Sequence, residues 1–200
     1  MFELLLFKNS NVERYIMKMI KRYACLVEVL SVILIPIMIM SNLLCWTWDK
    51  FGNVLVVSLG YSFDLVRVRD SVVNLPSIVW HHRFIGIVIQ GIATVLIVLI
   101  LINIIRLMRL LKIGEFFSLA TVNLLSTISK VAFVLIVYIP VKNSLLHLIE
   151  TLHKGPGYRE IVLSFGTTDL INVMLFCLGL ILLLLLQEAY KLKTETDLTV

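Results

Sequence analysis

Charge is what this chain has least of. Only 16% of its 200 residues are Asp, Glu, Lys or Arg, against 60% hydrophobic. Soluble domains run at about 25% charged and about 45–50% apolar. The shortage falls in blocks, so a single water-soluble core is excluded and a polytopic membrane protein is expected. Cysteine is scarce too. Cys25, Cys45 and Cys177 fall at three different expected depths, so no intramolecular disulfide and no CxxC metal site is expected. Each reads as a small buried hydrophobe. Catalytic signatures are missing: there is no GxSxG, no glycine-rich phosphate loop after a strand, no HExxH and no pair of carboxylates on one helix face. No enzyme activity and no cofactor is therefore expected. Net charge is +5, but the cations flank apolar blocks as topology and anionic headgroups require. No basic recognition helix accompanies them, so direct nucleic-acid binding is not expected.

What is present organises around Ile104–Ser118, where two apolar runs meet across Arg106, Arg109, Lys112, Gly114, Glu115, Phe116 and Phe117. This reads as a tight cytoplasmic elbow over 106–124. The three cations recur at i, i+3 and i+6, where they suit both a helix C-terminus and the cytoplasmic side. Gly114 can take the left-handed residue that ends a helix, the two phenylalanines anchor at headgroups, and Ser118 is a fair N-cap.

Residues 1–22 carry Lys8, Arg14, Lys18, Lys21 and Arg22, with Val12, Tyr15, Ile16, Met19 and Ile20 at spacings of three and four. That pattern predicts an amphipathic helix on the inner surface. The next apolar run is too long for a signal-peptide core, so it is expected to stay as a signal anchor. The first span is placed at 23–46, kinked at Pro36, with Trp46 and Trp48 at the far interface.

The external loop over 47–83 holds two β-branched runs, 53–57 and 65–69, either side of Gly60 and Ser62, which predicts a small hairpin. The second span follows at 84–105, the third at 125–146, a second external loop at 147–169, the fourth span at 170–186 and a cytoplasmic tail at 187–200. Lys8, Arg14, Lys18, Lys21, Arg22, Arg106, Arg109, Lys112, Lys191 and Lys193 on one side outnumber Lys50, Arg67, Arg69, Arg83, Lys154 and Arg159 on the other. The expected topology is N-in and C-in, in a bacterial cytoplasmic membrane. The fold class expected is all-α: an integral-membrane four-helix bundle with a small extracytoplasmic β-hairpin. No internal repeat is visible.

Two pieces together resemble a known family. One is Arg109-Leu-Leu-Lys-Ile-Gly-Glu-Phe-Phe-Ser118 with Asn123 just after it. The other is the tail from Glu188 through Asp197-Leu-Thr-Val200. The chain resembles the bacterial domain-of-unknown-function family 2975 over nearly its whole length. The resemblance implies a small bacterial four-span membrane protein, of a kind often encoded beside a small helix-turn-helix regulator. It carries over no activity and no catalytic residue.

Glu28 and Lys130 are the charges placed inside the bilayer. A charge at a span's centre costs about 2.5–3.5 kcal/mol on insertion scales. With the third span starting at Leu125, both lie about a turn from the inner face, so an intramembrane Glu28–Lys130 pair is expected, against separate snorkelling to the interface. His81, His82, His147 and His153 all fall on the external side and read as ordinary interfacial residues rather than a metal or pH-sensing cluster. Glu188 lies near the elbow cations if the second and fourth helices end at one interface. The functional expectation is a binding or regulatory module in the lipid bilayer, whose elbow and tail engage a soluble partner such as a helix-turn-helix regulator. Its candidate contacts are Arg106, Arg109, Lys112, Gly114, Glu115, Phe116, Phe117 and Glu188. The alternative is a small homo-oligomeric transporter or channel.

Overall fold

The computed structural model describes residues 2–47, 80–116, 118–151 and 167–198. They form four helices: α1 Phe2–Thr47, α2 Trp80–Ile113, α3 Leu119–Thr151 and α4 Thr167–Leu198. All four are long and apolar enough to cross a membrane. At 1.5 Å per residue a 30 Å hydrocarbon core needs about 20 residues, and the shortest helix has 32. The described residues contain no strand, and the hairpin expected over 53–69 lies outside them.

The helices pack in chain order, α1 on α2, α2 on α3 and, less extensively, α3 on α4. α2 and α3 are therefore the two inner members, and α2 makes the more extensive contacts. Its buried face is small and polar rather than greasy: Arg83, Gly86, Gln90, Ala93, Thr94, Asn103 and Ile105. That inversion is what a bilayer selects. Lipid tails match Leu and Ile as solvents, so apolar side chains stay outside while small residues let helix backbones approach. Accordingly, Leu170, Met174, Leu178, Leu182 and Leu185 of α4 are all exposed in the single chain.

At Gly86, α2 packs directly against the Trp46 ring of α1. A Cβ there would lie 2.6 Å from Cζ2 of Trp46. Trp46 is itself buried, and packs with Leu146 and Ile149 of α3 and with Ile87 and Ile89 of α2. One tryptophan thus joins three helices at the end of the molecule opposite the elbow.

α1 differs from the expectation of a surface helix followed by a span. It is unbroken from Phe2 to Thr47, with Pro36 inside it. The amphipathic segment 1–22 and the span 23–46 share one hydrogen-bonded ladder. No glycine interrupts Phe2–Thr47, and Pro36 is tolerated because a membrane helix can re-satisfy the carbonyl it frees.

Candidate functional site

The elbow is built by local hydrogen bonds. Gly114 has φ +95°, a conformation that L side chains avoid, and it turns the chain out of α2. The Gly114 and Glu115 amides donate to the carbonyls of Leu111 and Leu110. These bonds satisfy acceptors that the helix end would otherwise leave open. On the other side, the Thr121 amide donates to Ser118 Oγ at 3.2 Å, so Ser118 is the N-cap of α3. The Thr121 hydroxyl donates to the Glu115 carbonyl at 2.7 Å and ties the two helix ends together. Five positions separate the end of α2 at Ile113 from the start of α3 at Leu119, and of these Phe117 lies outside the described residues.

Above the elbow sits a three-residue charge clamp. Arg109 Nε donates to one Glu28 carboxylate oxygen at 2.9 Å, and Lys112 Nζ donates to the other. Positions i and i+3 share a helix face, so one carboxylate can meet both cations. The Glu28 side chain is 18% exposed, Lys112 29% and Arg109 65%, so the clamp is sheltered on its α1 side and open on the other. Arg106, one turn nearer the middle of α2, is exposed. Below the clamp, the Met17 methyl group closes against Gly114. α1 is thus fixed to the elbow at two levels.

This geometry corrects two expectations. Both oxygens of Glu28 are taken by Arg109 and Lys112, so the Glu28–Lys130 pair gives way. Depth explains why. Tyr138 Oη donates to the Ile89 carbonyl at 2.8 Å and holds α3 against α2. Lys130 stands 11 residues, about 16 Å, beyond the start of α3, whereas Arg109 and Lys112 stand about 2–6 Å from the end of α2, so the lysine lies about 10–15 Å farther from the elbow than the clamp. Secondly, Glu188 does not meet the elbow cations: it accepts from Lys191 Nζ at 2.8 Å within α4, both side chains well exposed.

Sequence reasoning missed a polar layer at the tryptophan end. Lys142 is 2% exposed and Arg83 7%, and Ser144 and Gln90 are also buried. The Arg83 guanidinium also stands 5.0 Å over the Trp80 ring, a cation–π stack. The signal was in the spacing: Lys130 and Lys142 are about 18 Å apart along α3, less than a bilayer core, so α3 cannot cross without a lysine inside. His81 and His82 stack edge to face at 5.3 Å, His147 is half-buried, and His153 lies outside the described residues. No group of His, Cys, Asp or Glu among the described residues could hold a metal ion. Cys25 and Cys177 are free and exposed.

Four apolar helices, lipid-facing leucine and valine surfaces and a small polar α2 seam define a multi-pass membrane protein. The family model described as "Protein of unknown function (DUF2975)" matches residues 54–200, and the chain belongs to that family. The match takes in α2, α3, α4 and the elbow, and leaves α1 outside. No curated protein and no solved structure matches the chain.

Proposed function

We propose that the protein is a non-enzymatic binding module whose elbow end faces the bacterial cytoplasm and engages a soluble partner there. The observation that carries this reading is the projection of α4. Its apolar segment ends at Leu186, yet the helix continues to Leu198, with Lys191, Leu192, Lys193, Thr194, Glu195 and Thr196 all exposed. Twelve further residues extend about 18 Å, clear of the hydrocarbon core. Exposed Arg106 and the open side of the Glu28 clamp stand at the same end of the molecule. The cation excess at that end supports N-in and C-in. A helix-turn-helix regulator, of the kind the family resemblance implies, is the partner of first choice.

The test is a crosslinking pull-down from native membranes, comparing the intact chain with a deletion of residues 187–200. The deletion removes no apolar span, so membrane insertion should be unchanged. A soluble regulator recovered with the intact chain and lost with the truncated one supports the reading. Equal recovery by both refutes it.

A further inference from the structure

The lipid-facing stripes of α2 and α3 each run into a cation. On α2, Val88, Ile92, Val95 and Leu99 are exposed at spacings of three and four, and the next exposed residue on that face is Arg106. On α3, Val141, Val137 and Val134 lead in the same way to Lys130 and Thr127. Arg109 and Lys112 are different, because both are spent on Glu28. Arg106 and Lys130 make no ion pair among the described residues. No Asp or Glu occurs in 84–113 or 119–149 to offer them one within α2 or α3.

Depth and direction bring the two cations to one place. Counting from Trp46 at Gly86, Arg106 is twenty residues along α2, about 30 Å, the thickness of a hydrocarbon core. With Trp46 at one interface, Arg106 therefore stands at the other. Arg106 is about 10 Å from the elbow end of α2, and Thr127 and Lys130 are about 12 and 16 Å from the elbow end of α3. Two long side chains span such a difference. Thr127 lies about 20° round α3 from Tyr138, whose hydroxyl reaches α2, so it borders the groove between the two helices. Lys130 lies between that direction and Phe133, which meets Phe176 of α4 at 5.9 Å. We infer that Arg106 and Lys130 together hold the phosphate of an anionic phospholipid in the elbow-side leaflet. Its acyl chains lie along the exposed valines and leucine that lead to the two cations. A guanidinium forks onto phosphate oxygens and an ammonium meets them as a point charge. The site faces the bilayer and does not use the α4 projection, so it stands or falls apart from the soluble partner proposed above.

The experiment uses the full chain in neutral maltoside micelles, titrated with phosphatidylglycerol or phosphatidylcholine. Retained lipid is counted by native mass spectrometry. Each cation should contribute about fivefold to the preference for phosphatidylglycerol, the scale of one basic side chain at an anionic surface. Arg106→Gln and Lys130→Gln should each lower the preference by that factor, and the double variant should bind the two lipids alike. Lys191→Gln with Lys193→Gln removes the same net charge elsewhere and should leave the preference intact. Glycerol 3-phosphate at millimolar concentration should not displace the lipid, because it lacks the acyl chains. Four results overturn the inference: equal retention of both lipids by the unaltered chain; a preference that persists in the Arg106/Lys130 double variant; an equal loss in the Lys191/Lys193 control, which would make net charge the cause; or displacement by glycerol 3-phosphate.

Discussion

Adding one methyl group at Gly86 should separate α1 from α2 more than any other single small change. A Cβ built there falls 2.5 Å from Cζ3 and 2.6 Å from Cζ2 of Trp46. Carbon atoms pack at about 3.5–4.0 Å. The indole must therefore move by about 1 Å or more. It has little room, because Leu146, Ile149, Ile87 and Ile89 pack around it. Overpacking of that kind costs about 1–3 kcal/mol. The clashing atoms all belong to the outer ring of the indole, the part that phenylalanine lacks. Trp46→Phe should therefore relieve the clash, so that Gly86→Ala with Trp46→Phe is less damaging than the two changes added together. A coupling of about 1–2 kcal/mol is expected, within the range of residues in direct contact. The assay is reversible unfolding in mixed micelles, followed by energy transfer between labels on α1 and α2. A loss below about 0.5 kcal/mol in Gly86→Ala, or strict additivity in the cycle, would refute the close approach.

Two smaller effects test the other joints. Gly114→Ala forces an L side chain to φ +95° and should cost about 1–2 kcal/mol in the same unfolding assay, whereas D-Ala at that position, introduced by semisynthesis, should be nearly neutral. Met17, which ends in a flexible methyl 3.1 Å from the added Cβ, can yield, so the backbone term should dominate. Tyr138→Phe removes one hydrogen bond to the Ile89 carbonyl, and that carbonyl belongs to a helix that can satisfy it internally. The expected loss is about 0.6 kcal/mol, the mean for interhelical bonds in a membrane, and a loss above 2 kcal/mol would show that the hydroxyl serves a second group.

The spans were legible because apolar blocks are long and their flanks are charged. Ser118 as a cap and Gly114 as a helix end were legible because each answers a local backbone need. The helix limits ran wider than the expected spans. Arg106, Arg109 and Lys112 continue α2 to Ile113, since cations are good helix formers and the chain stops only where glycine allows. The polar start of α3 at Leu119 is helical as well. The Glu28–Lys130 pair failed because Glu28 found Arg109 and Lys112 first; the six residues of α3 before Leu125 add about 9 Å between Lys130 and the elbow. The partner of Glu28 was out of reach for another reason. Arg109 and Lys112 lie 81 and 84 residues away, and which face α1 turns to them depends on packing that no local pattern records.

α1 is one rod of 46 residues, held to its neighbour at Glu28 and at Trp46. From Glu28 to Phe2 the rod measures about 39 Å, longer than its path from Glu28 to Thr47. Met17 against Gly114 is a third hold, so only the stretch from Met17 to Phe2, about 22 Å, projects beyond them. A rod held at three levels cannot pivot at one of them, so α1 couples the elbow end and the tryptophan end as a single rigid strut.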